Sequence, residues 1–110
     1  MPSDAIVYVV DDDASVRDAL RFLVESVDLR VEACASAHAF LEAYDGSAPG
    51  CLVLDVRLRG MSGLDLQAEL GRRGIQIPTI IVTGHGDVPM AVRAMKMGAI
   101  DFVEKPFNEQ

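Results

Sequence analysis

Ala5-Ile6-Val7-Tyr8-Val9-Val10-Asp11-Asp12-Asp13 is an apolar, largely β-branched run that ends in three successive carboxylates. An unbroken apolar run of this kind reads as a strand buried on both faces, the habit of parallel sheets. Asp13 is placed to cap the helix that follows. Val16, Ala19, Leu20, Leu23 and Val24 recur at three- and four-residue steps, with Arg17, Asp18, Arg21 and Glu25 outside. That spacing predicts an amphipathic helix with the first group facing inward.

The same alternation runs down the chain. Further strands are expected at Val31–Ala35, Cys51–Leu54, Pro78–Thr83 and Ile100–Glu104. Ser36 caps a short helix with Phe40 and Leu41 inward, ending near Gly46. Ser62 caps a helix carrying Leu64, Leu66 and Leu70, with Asp65 placed for a capping box. Asp87 caps a helix with Pro89 in its first turn, and Gly98 ends it. Strands alternating with helices imply an α/β fold: a doubly wound parallel sheet with right-handed crossovers and helices on both faces.

Composition narrows the function. The chain has 110 residues and a formal charge of −7, from 17 Asp and Glu against 10 Lys and Arg. Its length suits one domain. The acidic balance disfavours a phosphate-backbone binder or an anionic membrane surface as direct partner. No apolar run approaches the roughly 18–20 residues of a membrane span. Met1-Pro2-Ser3-Asp4 does not read as a basic segment leading into an apolar one, so no signal peptide is expected and the location expected is cytoplasmic. Cys34 and Cys51 both sit in apolar runs, which predicts two buried thiols in a reducing compartment.

In an open parallel sheet, function gathers beyond the C-terminal ends of the strands. Here those ends carry Asp11, Asp12 and Asp13, then Asp55, Thr83 and Lys105. Taken singly, each has an ordinary reading as a cap, a turn residue or a solvated charge. Their agreement at one rim is what points to a site. Two like charges about 4 Å apart repel by roughly 4 kcal/mol at an effective dielectric of about 20. A hard divalent cation relieves that repulsion, and oxygen ligands with room for water suit Mg²⁺. Asp11, Asp12 and Asp55 are then balanced by Mg²⁺ and Lys105, which makes a receptor for a phosphoryl group, with Thr83 offering a hydroxyl.

At this point the residues resemble a known family, the CheY-like receiver domain of two-component response regulators. Val9-Val10-Asp11-Asp12-Asp13 looks like its acidic motif, and Leu54-Asp55-Val56-Arg57 followed by Met61-Ser62-Gly63 looks like its phosphoacceptor loop. Thr83-Gly84 and Lys105-Pro106 complete the pattern. Thr83-Gly84-His85-Gly86-Asp87-Val88-Pro89-Met90-Ala91-Val92 and Asp101-Phe102-Val103-Glu104-Lys105-Pro106-Phe107 are similar to the FixJ-type branch, whose members usually carry a LuxR-type output domain.

The resemblance implies a five-stranded sheet in the order 2-1-3-4-5. It implies that Asp55 accepts phosphate from a sensor histidine kinase. Mg²⁺ would be held by Asp11, Asp12, Asp55 and the main-chain carbonyl of Arg57. Thr83 and Lys105 would bind phosphoryl oxygens, Thr83 and Phe102 would form the switch, and the Lys105–Pro106 bond would be cis. A homodimer on phosphorylation would use the fifth strand and the helix after Asp87, at Val88, Val92, Met95 and Lys96. DNA would be reached only through an output domain outside this chain.

Two features depart from the pattern. The family commonly has Met-Pro where this chain has Leu58-Arg59, followed by Gly60, and glycine's backbone freedom predicts a looser loop after Asp55. The family's fifth helix has no counterpart here, so the chain is expected to stop before it and before any output domain. His85 and His38 read as solvated residues.

Two other readings compete. A haloacid-dehalogenase-type aspartyl phosphatase needs an acid two residues after its nucleophile, and that position is Arg57. A receiver-like module that is never phosphorylated would have lost Asp55, Lys105 or a member of the acidic pair, and all are present.

Overall fold

The computed structural model describes residues 5–84 and 86–105. In chain order they form β1 (Ile6–Val10), α1 (Ala14–Glu25), β2 (Arg30–Cys34), α2 (Ala37–Ala43), β3 (Gly50–Asp55), α3 (Gly63–Arg72), β4 (Thr79–Thr83), α4 (Val88–Lys96) and β5 (Asp101–Glu104). The strands make one sheet in the order β2-β1-β3-β4-β5, all pairs parallel. Each predicted strand and helix is found, with strand ends moved by one residue. Among the described residues there are four helices.

The order reverses direction beside β1, so the rim between β1 and β3 is the switch point of the sheet. Register sets that rim. Val10 lies opposite Cys34 and Leu54, and Asp55 lies opposite Val82. The residues just past Val10 and Val82 therefore emerge beside Asp55.

Alternation splits the sheet into two faces. Tyr8, Val10, Leu52, Leu54 and Ile81 point into one cluster with Ala37 and Phe40 of α2, Leu66 and Leu70 of α3, and Ala94 of α4. Tyr8 meets the Phe40 ring edge-on at 5.2 Å between centroids. Val7, Val9 and Val82 are buried on the opposite face, where α1 packs on β1 and β2.

That second face corrects two expectations. Val16, Leu20 and Val24 are half-buried, but Ala19 and Leu23 are exposed. The 16-20-24 row meets the sheet, and Ala19 and Leu23 lie on the flank turned from it. Cys34 is buried as expected, whereas Cys51 is only half-buried, because its side of β3 lies outside the main cluster. Both thiols are free. Burial pushes the Cys34 thiol up to about 11, so it stays protonated and inert at neutral pH.

The caps follow the local sequence in three helices of four. Asp13 accepts from the Ser15 N–H, Ser36 from the Ala39 N–H, and Ser62 forms a capping box with Asp65. Asp87 occupies the N-cap position of α4, but its side chain makes no capping hydrogen bond. Its φ of −99° and ψ of 22° lie outside the extended region an N-cap adopts, so its carboxylate is directed elsewhere.

Candidate functional site

Asp55 ends β3 and is 5% exposed. Its Oδ1 accepts the Arg57 N–H at 3.0 Å, and its Oδ2 accepts from Lys105 Nζ at 3.0 Å. The same ammonium lies 3.1 Å from Asp11 Oδ2. One lysine thus bridges two buried carboxylates from the two strands that flank the switch point.

Lys105 is aimed by its backbone. Its N–H donates to the Thr83 carbonyl at 2.6 Å, which carries the β4–β5 ladder one residue beyond Glu104. Asp11 is fixed from both sides. Its Oδ1 accepts the Asp13 N–H at 2.9 Å, and its main-chain carbonyl accepts from Arg17 Nη1 at 2.7 Å. Periodicity places Arg17 outside; it is half-buried because it reaches back to this carbonyl.

Burial holds the Asp55 carboxyl above the usual carboxylate range, and the nearby Asp11 charge adds to the rise. The Arg57 N–H and the Lys105 ammonium oppose it without cancelling it. For Lys105, burial disfavours the ammonium, but the Asp55 and Asp11 carboxylates beside it outweigh that and raise its pKa. Each of the two charges thus favours the other.

Asp12 is the outermost acid. Its Oδ2 accepts the Arg59 N–H at 3.2 Å and lies 3.9 Å from Arg59 Nε. Asp11, Asp12 and Asp55 each offer a carboxylate oxygen, and these oxygens lie within 4.8 Å of one another. Asp11 Oδ2 is buried without a well-directed hydrogen bond, held by the charge of Lys105 alone. Three hard oxygen donors, one of them under-satisfied, fit a hard divalent cation. Asp13 points away, its carboxylate engaged by the Ser15 N–H and hydroxyl.

The loop after Asp55 is tied to the rim by the Arg57 and Arg59 N–H groups. Gly60 has a φ of 75°, the left-handed turn that glycine adopts freely. Gly63 has a different role. A Cβ there would sit 2.4 Å from the Asp55 carbonyl oxygen, so only glycine lets α3 start against the end of β3.

Thr83 is buried at the end of β4, one residue past the partner of Asp55. Phe102 lies opposite Ile81 on β5 and is 45% exposed, turned outward. On α4 only Ala91 and Ala94 are buried. Val88, Val92, Met95 and Lys96 are exposed. His38 is exposed, and His85 and Pro106 lie outside the described residues.

Charge pairing across the rim is not visible in the sequence. Asp87, expected as a cap, is buried and accepts from Arg57 Nε at 2.7 Å. It joins the loop after β3 to the start of α4. The sequence signal for this pair is weak: an arginine near the strand-end aspartate and an acid in a glycine-rich loop. Among the described residues, no helix is long and apolar enough to cross a membrane.

Comparison with known proteins agrees with this geometry. A family profile described as the response regulator receiver domain matches residues 7–110. The response regulator protein TmoT of Ectopseudomonas mendocina is 54% identical over 107 residues, covering 97% of this chain and 49% of that protein. The transcriptional regulatory protein FixJ of Azorhizobium caulinodans is 53% identical over 109 residues, covering 99% of this chain and 52% of that protein. The solved full-length FixJ from B. japonicum superposes with a TM-score of 0.88 at 47% identity, covering 96% of this chain and 52% of that one. The chain spans about half the length of the curated relatives it matches. By profile, by identity and by the strand-end constellation, the chain belongs to the receiver-domain family of two-component response regulators, with FixJ-type transcriptional regulators among its relatives.

Proposed function

We propose that Asp55 is a phosphoacceptor, charged by a sensor histidine kinase in the cytoplasm, and that its phosphorylation switches the face made by α4 and β5. The observation that carries this reading is the Asp55 carboxylate, buried at the switch point with Lys105 Nζ at 3.0 Å and two further acids beside it. Asp11 and Asp55 share the single Lys105 ammonium, and Asp12 faces only the exposed Arg59 guanidinium, so the buried part of the site is short of positive charge. Asp11, Asp12 and Asp55, with the main-chain carbonyl of Arg57, are the ligands proposed for Mg²⁺. That ion, when bound, supplies the charge that lets an anionic phosphoryl group approach a carboxylate.

The chain's own part is positioning. In-line phosphoryl transfer asks for alignment and charge neutralisation more than for covalent help. An Asp55 oxygen forms the new bond to phosphorus while the bond from phosphorus to the donor's histidine nitrogen breaks. The Arg57 N–H and Lys105 hold the carboxylate in place, and Lys105 is near enough to stay on a phosphoryl oxygen afterwards. Thr83 offers its hydroxyl to another oxygen. Its movement frees space for Phe102, which turns inward from its exposed position. Phe102 has no hydroxyl, so its two positions differ in packing alone.

The relatives support the downstream steps. They are transcriptional regulators about twice the length of this chain, which supports a neighbouring output domain, of LuxR type by resemblance, as the DNA-binding part. Val88, Val92, Met95 and Lys96 form the proposed homodimer face. Incubation with acetyl phosphate and Mg²⁺, read by intact mass, tests the central claim. One added phosphoryl group, absent in Asp55→Asn, is the expected result. No labelling favours a receiver-like module that works without phosphate. Rapid turnover with release of phosphate favours a phosphatase.

A further inference from the structure

We propose that Arg59 is a built-in competitor for the cation site, occupying Asp12 and setting how tightly the receiver holds its divalent ion. This rests on reading Asp11, Asp12 and Asp55 as that site. The three acids are not equally engaged. Asp11 and Asp55 share the Lys105 ammonium, at 3.1 and 3.0 Å. Asp12 is compensated instead by Arg59, whose N–H and guanidinium address the same oxygen, Oδ2, at 3.2 and 3.9 Å.

The contact depends on this chain's own loop. Arg59 stands where the resembling pattern has proline, and proline has no N–H to donate. Gly60, with its φ of 75°, turns the chain directly after Arg59. The Arg59 side chain is 96% exposed, so it is free to move aside when a cation binds. A cation arriving at Asp12 meets a positive charge 3.9 Å from Oδ2 and an oxygen already accepting the Arg59 N–H. Both effects lower affinity. Through solvent, a single such charge is worth roughly a three- to ten-fold change in binding of a divalent ion.

Isothermal titration of MgCl₂ into the whole chain tests this, with Arg59→Ala, Arg59→Lys and Asp12→Asn beside the wild type. Arg59→Ala keeps the N–H and loses the charge; it is expected to bind Mg²⁺ roughly three- to ten-fold more tightly at low salt. Arg59→Lys keeps the charge and is expected to stay within about two-fold of wild type. The gain in Arg59→Ala should shrink as salt is raised, because the effect is electrostatic. Equal or weaker binding by Arg59→Ala, or Arg59→Lys tightening as much as Arg59→Ala, overturns the proposal. If wild type binds Mg²⁺ and Asp12→Asn does not, while Arg59→Ala is unchanged, the cation site stands and only the role of Arg59 falls. If the wild type itself does not bind, the site reading falls and takes this inference with it.

Discussion

Lys105 reaches the Asp55 carboxylate across 50 residues of sequence, placing its ammonium 3.0 Å from Oδ2. The same group lies 3.1 Å from Asp11 Oδ2, so it is the common counter-charge of β1 and β3. Removing it as Lys105→Ala leaves two neighbouring carboxylates with their repulsion unopposed. We expect a loss of about 2 kcal/mol in urea unfolding, less than a fully buried pair because Lys105 is partly exposed. Millimolar Mg²⁺ should restore part of it. The same variant should still acquire a phosphoryl group, but more slowly.

Asp55→Asn should stabilise the chain in the absence of divalent cations. Burial raises the Asp55 pKa in the folded state above its ordinary 3.8. Folding therefore favours the protonated form. The contribution from this group is complete below 3.8 and is lost as pH rises through the raised value. At neutral pH the charged Asp55 costs stability that asparagine does not, while the amide oxygen still accepts from Lys105. Thermal melts should show Asp55→Asn melting higher by roughly 2–5 °C at pH 7, with the advantage shrinking towards pH 4.

Gly63→Ala should damage both fold and site. The added Cβ would stand 2.4 Å from the Asp55 carbonyl oxygen and 2.8 Å from Val56 Cα, so backbone must move. A cost of about 2–3 kcal/mol is expected. Labelling by acetyl phosphate should fall, because the strain is applied at Asp55 itself. Gly71→Ala is the control: nothing lies within 4 Å of a Cβ there, so it should fold and label as wild type.

Asp87→Asn should leave the sheet intact and loosen the start of α4. The buried carboxylate accepts from Arg57 Nε at 2.7 Å, and Arg57 is largely exposed. The loss is expected to be about 1 kcal/mol, since the freed guanidinium is solvated. Amide hydrogen exchange should speed up from Val88 to Ala91 and change little in β1 or β3.

Val92→Asp tests the α4 face. Val92 is 47% exposed, so the monomer's melting temperature should move by no more than about 2 °C. Ultracentrifugation with beryllofluoride should show dimer in the wild type and monomer in the variant. Dimer in both would place the interface elsewhere.

Apolar periodicity and capping chemistry are properties of neighbours in sequence, and they carry the architecture. The run Ile6–Val10 ending at Asp11, the Ser36 and Ser62 caps, and the strand-end positions of Asp55, Thr83 and Lys105 are all legible in the order of residues alone. Resemblance adds strand order, which spacing leaves open. What the sequence does not determine is which charge meets which. Arg57 finds Asp87 across 30 residues and Arg59 finds Asp12 across 47, and no local rule selects those pairs over others. The tertiary structure selects them by folding two loops over one rim. For the same reason Asp87 is diverted from capping, Arg17 is drawn in to the Asp11 carbonyl, and Leu23 is left facing outward. Periodicity places a side chain on a side of its helix or strand. Only the packed sheet decides what stands opposite it.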